Sequence, residues 1–261
     1  MVNIVSVIGI VGVFAALIIG IIWGGTPLLA YVDIPSVFIV VTCSIAVLVF
    51  AFPKWGDNLG ALKLISLVFK KPEFGEQEIA RKLITFSEKA RREGLLSLEE
   101  EIQDLNNDFL QTGLRLSIDG TDKDVIMGLL EIEIEKLEDR HGKKHAVFDL
   151  WALVLPATGM WGTVMGLIGM MKNLNDPSSV GPQMAIALIT TFYGSVLANA
   201  VAIPTSKVLR TYTAREINSR EMIIEGVLSI QAGDNPRILG QKLLAYLSPE
   251  DRKALDHDIK D

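Results

Sequence analysis

Four apolar stretches of the chain contain no Asp, Glu, Lys, Arg or His. A helix needs about 20 mostly apolar residues, each with a rise of ~1.5 Å, to cross the hydrocarbon core of a bilayer. The stretches that reach this length are residues 2–23, 34–52, 150–171 and 184–203. The pattern therefore predicts an all-α, polytopic membrane protein with four transmembrane helices.

Between the second and third stretches, residues 53–149 show the apolar spacing of amphipathic helices. The first predicted helix covers residues 76–93 and stops at Gly94. The second opens with a capping box at Ser97 and Glu100 and ends before Gly113. The third opens at Thr121 and Asp124. Their apolar stripes are Ile79, Leu83, Phe86 and Ala90; Leu98, Ile102, Leu105 and Phe109; and Val125, Leu129, Ile132 and Leu137. Because such stripes need partners, we expect these helices to pack on one another.

The last segment continues the fourth apolar stretch as one long helix through residue 232, since residues 206–232 contain no breaker. The Gly-Asp-Asn-Pro sequence at 233–236 is a dense turn signal. A short amphipathic helix is predicted at 237–247, and the charged tail after Pro249 is expected to be poorly ordered.

Charge placement predicts the orientation in the membrane, because Lys and Arg are retained on the cytoplasmic side. Of the 25 Lys and Arg residues, only Lys172 lies in the predicted outside loops, 24–33 and 172–183. Both termini are therefore expected in the cytoplasm. The first stretch has no basic leading region and no small-residue cleavage site, so we interpret it as a retained span rather than a signal peptide.

The remaining composition excludes some functions. The net charge is −6 with no long basic run, so we expect no binding to nucleic acid. The single cysteine, Cys43, lies inside the second stretch and cannot form an intramolecular disulfide.

The third and fourth stretches combine small and polar residues. Gly159, Gly162, Gly166 and Gly169 recur in the third stretch beside Thr158 and Thr163, and Ala187, Thr191, Ser195 and Asn199 follow one another at steps of four in the fourth. A small, polar face suits an ion path, because hydroxyls and carbonyls can replace water around a cation. The same residues are also ordinary contacts between transmembrane helices, so both interpretations stay open. With no carboxylate in these stretches, an ion path would need one from a partner.

Two prolines lie near the cytoplasmic ends of these stretches, Pro156 in the third and Pro204 after the fourth. Proline removes a backbone donor and frees the carbonyl one turn earlier, which makes a kink or hinge. Alternatively, each proline marks the end of its helix.

Three blocks of the sequence resemble flagellar stator A subunits of the MotA and PomA family. They are ARREGLLSLEE at 90–100, PATGMWGT at 156–163 and EGVLSIQAGDNPR at 225–237. The resemblance runs from the first stretch to about Leu247. The related energisers ExbB and TolQ have three spans and a different soluble layout, so four spans with a large cytoplasmic loop fit the stator better.

The resemblance implies a homo-pentamer around a dimer of B subunits in the bacterial inner membrane, with the ion-binding Asp on the B subunit. Ions would pass the inner wall formed by the third and fourth spans, and the ring would turn and push the rotor protein FliG. The implied organisation is 1–52 for two peripheral spans, 53–149 for a rotor-interacting cytoplasmic domain, 150–204 for the ion-pathway spans, and 205–261 for a cytoplasmic extension and tail. Arg91, Arg92 and Glu99 match the charged rotor-contacting positions, and Pro156 and Pro204 match the coupling prolines.

The resemblance also bears on the transported cation. Sodium-driven relatives have hydroxyls at the positions of Thr163 and Thr191, whereas many proton-driven relatives have Ala at the first position. Sodium needs several oxygens in place of its hydration shell, so the extra hydroxyls favour sodium. A proton stays the alternative, because Thr hydroxyls also bond to their own helix. The predicted ion-pathway residues are Thr158, Thr163, Thr190, Thr191, Ser195 and Asn199.

Other chemistry has weak support in the sequence. His141 and His145 have the i, i+4 spacing of metal ligands, but no third ligand is evident, and a basic cluster at the membrane entry is the alternative. No nucleophile-and-base set or phosphate-binding loop is recognisable, so we expect no enzyme activity, no cofactor and no metal. Two other functions stay open: an ExbB- or TolQ-like energiser of an envelope protein, and a non-conducting membrane scaffold.

Overall fold

The computed structural model describes residues 3–53, 63–70 and 72–260, with side chains through residue 254. Every regular element in the described residues is a helix, which confirms the all-α fold class. The α-helices include α1 (Ile4–Trp23), α2 (Ile34–Val37), α3 (Cys43–Ala51), α4 (Glu76–Glu93), α5 (Glu99–Gln103), α6 (Asp108–Ile118), α7 (Lys123–Lys172), α8 (Pro177–Leu197), α9 (Ile203–Ala232), α10 (Pro236–Leu244) and α11 (Pro249–Lys260). A π-helical turn, Phe38–Thr42, joins α2 to α3, and a second, Ala198–Ala202, joins α8 to α9.

Four helical stretches of the described chain are long and apolar enough to cross a membrane. They are Ile4–Trp23, Leu28–Ala51, Lys123–Lys172 and Pro177–Ala232. Each one contains or coincides with an apolar stretch of the sequence, so the number and place of the predicted spans are confirmed by length and composition.

The chain divides into two compact units. The first unit contains Met1–Pro72 and His141–Thr211, and the second contains Glu73–Arg140 and Tyr212–Asp261. The domain boundaries predicted after residues 52, 149 and 204 describe where the chain crosses a membrane surface, whereas the units are divided by packing. The predicted boundaries therefore stay predictions, and residues 54–62 and 71 of the segment 53–149 lie outside the described residues.

The first unit has a core where α3 and the π-helical turn Phe38–Thr42 meet α7, the turn Ala198–Ala202 and the start of α9. The buried apolar side chains are Val40, Leu48, Val147, Phe148, Trp151, Leu155, Ala198, Ala202 and Leu209. The indole of Trp151 donates to the Ser44 hydroxyl at 3.2 Å, which satisfies the polar atom inside this core. By contrast, α1 has no buried residue and presents apolar side chains all round, as a helix in contact with lipid does.

The core of the second unit confirms the first predicted stripe. The helix α4 ends at Glu93, and Gly94 follows with a φ of 88° that an L-residue with a side chain rarely adopts. Ile79, Leu83 and Phe86 are buried in a cluster with α9 and α10. A Cβ at Gly226 of α9 would lie 2.5 Å from Leu83 Cδ1, so this glycine allows α4 and α9 to approach.

The second predicted helix is wrong in its start and its end. The Ser97 hydroxyl donates to the Gly94 carbonyl at 2.7 Å and so does not cap a helix. The chain instead forms the short α5 and then α6, whose first turn is capped by the Asn107 side chain accepting from the Leu110 amide at 3.0 Å. Gly113 lies inside α6 because its missing side chain leaves room for Val227, 3.1 Å from where a Cβ would stand.

The third predicted stripe is wrong at Val125, Leu129 and Ile132 and correct at Leu137. The N-terminal part of α7 buries Ile126, Leu130 and Leu137, whereas Val125 and Ile132, with Leu129, are about half exposed at 51%, 53% and 48%. The helix carries two apolar rows at helical spacing, and spacing alone does not select between them. Its start is also shifted: the Asp122 carboxylate accepts from the Asp124 amide at 2.9 Å, in place of the predicted box at Thr121.

The turn after residue 232 is held by side chains as well as by backbone. Gly233 has a φ of 69°, and the Asn235 side chain accepts from the Arg237 amide at 2.9 Å to start α10. Lys242 of α10 reaches back to Glu225 at 2.8 Å and to Asp234 at 3.1 Å. The block 225–237 therefore builds a structural corner. The following helix ends at Leu244, and the tail expected to be poorly ordered forms α11.

Candidate functional site

The contact between α7 and α8 depends on glycines. A Cβ at Gly162 would lie 2.4 Å from Thr190 Cγ2, and a Cβ at Gly166 would lie 2.6 Å from the Gln183 carbonyl oxygen. From the other helix, a Cβ at Gly194 would lie 2.5 Å from the Leu155 carbonyl oxygen. Small residues therefore allow the two backbones to approach closely, as in other transmembrane helix pairs.

Two of the predicted ion-pathway residues meet across this contact. The hydroxyl oxygens of Thr163 and Thr191 are 2.5 Å apart. The Thr163 hydroxyl oxygen is also 2.9 Å from the Ala187 carbonyl oxygen and 3.2 Å from that of Gly159. One hydroxyl proton cannot serve all of these oxygens. The result is a concentration of oxygen atoms between two apolar helices.

Ser195 and Asn199 continue the polar row from Thr191 through the end of α8 into the π-helical turn Ala198–Ala202. All three residues are exposed in the isolated chain. The Asn199 carboxamide donates to the Ser195 carbonyl at 2.9 Å, which keeps this side chain along its own helix. The four-residue step therefore places three polar side chains on one open face, as the sequence indicated.

Thr158 and Thr190, also predicted to lie in the ion pathway, lie outside the open polar row. Both are fully buried, at 0% exposure. The Thr158 hydroxyl donates to the Leu155 carbonyl at 2.9 Å, and the Thr190 hydroxyl donates to the Ile186 carbonyl at 2.8 Å. Both hydrogen bonds lie within the residue's own helix, and the structure does not bring these side chains to the open row. Their assignment to the ion pathway stays a prediction.

The two prolines lie inside continuous helical runs. Pro156 lies in the middle of α7, and Pro204 is the second residue of α9, directly after the π-helical turn Ala198–Ala202. The interpretation that each proline ends its helix is therefore wrong. A π turn changes the hydrogen-bond register, so it accommodates a residue that lacks a backbone donor. The predicted coupling role of the prolines stays a prediction.

Comparison with known proteins identifies the family. The model of the MotA/TolQ/ExbB proton channel family matches residues 101–222. A motility protein A of Treponema phagedenis is 47% identical over 257 residues, which cover 98% of each chain. The chain belongs to the MotA/TolQ/ExbB family. Among other similar proteins, the chemotaxis protein PomA of Vibrio alginolyticus is 37% identical over 98% of this chain and 99% of its own.

The solved structures agree with this family assignment. The flagellar MotAB stator complex from Bacillus subtilis superposes with a TM-score of 0.86 and 31% identity, over 96% of this chain and 98% of that chain. The similarity therefore covers the spans and the soluble helices alike.

Sequence reasoning missed one feature of this MotA/TolQ/ExbB family member, a polar link at the start of the third apolar stretch. Asp149 of α7 accepts from the Ser206 hydroxyl at 2.6 Å and forms an ion pair with Arg210. Ser206 is 4% exposed, so the link begins inside the contact between α7 and α9. Asp149 directly precedes an apolar stretch, but only the fold shows its partners, which are more than 50 residues away in sequence.

The predicted rotor-contacting residues lie on the surface around one turn. Arg91 and Arg92 occupy the last turn of α4, and Glu99 is the first residue of α5; all three are exposed. The turn at Gly94 separates them. Their arrangement leaves the charges available to a partner, and the rotor contact itself stays a prediction.

The two histidines lie on one face of α7, with ring centroids 6.4 Å apart. Within the described residues, no group of three His, Cys, Asp or Glu side chains is placed to hold a metal ion. The histidine pair therefore has no described third ligand, and the expectation that no metal binds here stays a prediction.

Proposed function

We propose that this protein is the A subunit of a flagellar motor stator and passes a cation across the inner membrane together with a MotB-type partner. The observation that carries the proposal is the polar row of Thr191, Ser195 and Asn199 with Thr163, on helices whose apolar stretches contain no charged side chain. Near full-length similarity to a motility protein A and to a flagellar MotAB stator complex supports it.

The proposed need for a partner subunit follows from the absence of a negative charge in the polar row. Hydroxyl, carboxamide and carbonyl oxygens can replace water around a cation, but they do not carry the negative charge that would hold it in an apolar environment. A B subunit with a membrane-embedded carboxylate would complete the path. We propose a ring of five A subunits around two B subunits, with both termini of this chain in the cytoplasm.

Torque would be delivered through charged residues. Arg91, Arg92 and Glu99 are exposed around the Gly94 turn and would contact the rotor protein FliG. Complementary charges of this kind mainly orient partners and speed their encounter. The proposed role is transport and mechanical work rather than catalysis.

Sodium is the proposed cation. Sodium binds through several oxygens, and the Thr163 and Thr191 hydroxyls with the Ala187 carbonyl offer three within about 3.5 Å of one another. A proton is the alternative, since each threonine hydroxyl is also engaged by helix backbone.

The cation is tested by swimming speed in a stator-deleted host that carries this chain and its B gene, with sodium titrated at fixed proton-motive force. For a sodium-driven stator, speed rises with sodium and saturates. Thr163→Ala should raise the half-saturating sodium concentration by about tenfold, because it removes one oxygen contact to a charged ligand. Thr163→Ser keeps the hydroxyl and is the matched control. Swimming that is independent of sodium would assign the proton instead.

A further inference from the structure

We propose that one exposed face of α7 is a docking site for a basic amphipathic helix of another protein. The face lies in the second unit, between residues 124 and 138, and consists of an apolar row beside an acidic row. None of its residues belongs to the polar row of the first unit or to the predicted rotor contact, so the inference goes beyond the proposed function.

The apolar row of this face is open to solvent. Val125, Leu129 and Ile132 are 51%, 48% and 53% exposed, whereas Ile126 and Leu130, on the side of the helix that joins the core, are buried. Removing the exposed apolar area from water would favour association with a partner. Because the row has the i, i+4, i+7 spacing, it matches the apolar face of a second helix.

The acidic row favours a basic partner. Four exposed carboxylates follow one another at intervals of seven, four and three residues, which places them on one side of α7: Asp124, Glu131, Glu135 and Glu138. Residues 124–139 contain six acidic residues and one basic residue. That basic residue, Lys136, forms ion pairs with Glu135 at 2.9 Å and with Asp139 at 3.5 Å. Complementary charge selects and orients partners, so the remaining negative charge favours a helix that carries Lys or Arg.

The charge of the second unit argues against a second copy of this chain at the same face. The unit contains 27 Asp and Glu residues and 16 Lys and Arg residues, a formal net charge of −11, compared with −6 for the whole chain. Like charges brought together at an interface oppose association. The occupant that fits this face is therefore a protein segment of opposite charge.

Gly128 gives an independent indication of a closely packed partner. It lies four residues after Asp124 and three residues after Val125, so on the helix surface it lies between the acidic row and the apolar row. Glycine in a helix interior destabilises the helix relative to alanine. A Cβ at Gly128 would meet no neighbouring atom of the described residues within 4 Å, so packing within the chain does not require a glycine there. A position without a side chain allows a second helix to approach closely.

The test is fluorescence anisotropy with the full-length chain in nanodiscs of phosphatidylcholine, with empty nanodiscs as the background. The probe is a labelled helical peptide of about 15 residues, the length of the face, with leucines at helical spacing and lysines on both sides of them. A second peptide has glutamate in place of every lysine. We expect saturable binding of the lysine peptide that is at least about tenfold tighter than binding of the glutamate peptide and that weakens as salt is added.

Leu129→Gln should weaken binding of the lysine peptide by about tenfold or more, because it removes the central apolar side chain of the row. Ile238→Gln, at an apolar position of α10 that is 52% exposed, is the control and should bind as the original chain does. Gly128→Ala separates docking from folding: the added methyl group should weaken binding by about threefold or more while the thermal midpoint stays the same or rises. Gly142→Ala, at an open glycine of the same helix outside the face, should leave binding unchanged.

The contact itself is tested by replacing Leu129 with the photo-crosslinking residue p-benzoylphenylalanine. Illumination should link this position to the lysine peptide in the nanodiscs. A crosslinked product made of two copies of this chain in cell membranes would overturn the proposal, because it would assign the face to contact between copies. Equal binding of the two peptides, or unchanged binding in both Leu129→Gln and Gly128→Ala, would also overturn it.

Discussion

At the level of single residues, the close contact between α7 and α8 depends on glycines, which have no side chain. The positions of Gly162, Gly166 and Gly194 leave no space for a methyl group without moving the facing helix. Their close approach brings the Thr163 and Thr191 hydroxyls to 2.5 Å. The short distance between these two hydroxyls therefore depends on the neighbouring glycines.

Replacing Gly162 by Ala should separate the two helices, because the new Cβ would lie 2.4 Å from Thr190 Cγ2. We expect the thermal midpoint of the purified protein to fall and swimming to be lost or strongly reduced. The free-energy cost should be about 1–3 kcal/mol, typical of overpacking. Gly142→Ala, on the same helix with no atom within 4 Å of the added Cβ, should be neutral or stabilising. Equal behaviour of the two variants would contradict this account.

At the level of elements, the sequence pattern of the long helix α7 predicted its membrane span but not the buried face of its soluble part. Its apolar run predicted the span directly, because hydropathy reports contact with lipid. Its soluble part carries two apolar rows. Of the four residues in the predicted stripe, Val125, Leu129 and Ile132 lie in the exposed row, whereas Leu137 is buried. Ile126 and Leu130 of the buried row lie in one core with Leu114 of α6 and Met222 of α9. Such contacts between distant elements are not readable from local spacing.

The link between α7 and α9 predicts a coupling of Asp149 with Arg210. Asp149→Arg and Arg210→Asp should each reduce swimming, whereas the double exchange should restore part of it. The exposed ion pair itself should contribute only ~0–1 kcal/mol to stability. Loss of the carboxylate also leaves the buried Ser206 hydroxyl without its 2.6 Å acceptor, at about 1–3 kcal/mol.

This coupling is measured by a double-mutant cycle of swimming speed and of the thermal midpoint. Lys207→Asp, a charge reversal at an exposed position of the same helix, is the control and should behave independently of Asp149→Arg. Strictly additive effects of Asp149→Arg and Arg210→Asp would remove the proposed link.

The corner at Lys242 predicts a pH dependence of stability. The hydrogen bond from Lys242 lowers the pKa of Asp234 from its ordinary 3.8, and the hydrogen bond to Glu225 raises the pKa of Lys242 from its ordinary 10.5. The contribution of Asp234 is therefore present above pH 3.8 and lost as the pH falls through the lowered pKa. That of Lys242 is present below pH 10.5 and lost as the pH rises through the raised pKa.

Lys242→Met should lower stability by about 1 kcal/mol at neutral pH, since these partly exposed ion pairs are weak. It should also reduce the loss of stability below pH 4, because Asp234 no longer has its partner. Denaturant unfolding from pH 3 to 9 measures both effects. Lys253→Met, at an exposed position of α11, should leave the profile unchanged. If the free energy of unfolding of Lys242→Met changes with pH in the same way as that of the original chain, the corner does not depend on the Lys242 charge.

At the level of the whole molecule, the sequence predicted the four spans, the all-α class, the helix α4 and the open polar row. These features follow from hydropathy, from helical spacing and from Gly94, which act locally. It did not predict the start of α6, the buried row of α7 or the partners of Asp149. Those depend on residues brought together by the fold, as Ser206 is brought to Asp149 across 57 positions.

The assignment as a stator A subunit is tested by the torque on a bead attached to the flagellum of a stator-deleted cell that expresses this chain with its B-type partner. We expect rotation to resume in discrete steps as single stators engage. Arg91→Glu should leave ion flux through the assembled complex unchanged and abolish or strongly reduce torque, because the charge faces outward. An assembled, ion-conducting complex of the original chain that gives no rotation would contradict the assignment as a stator A subunit.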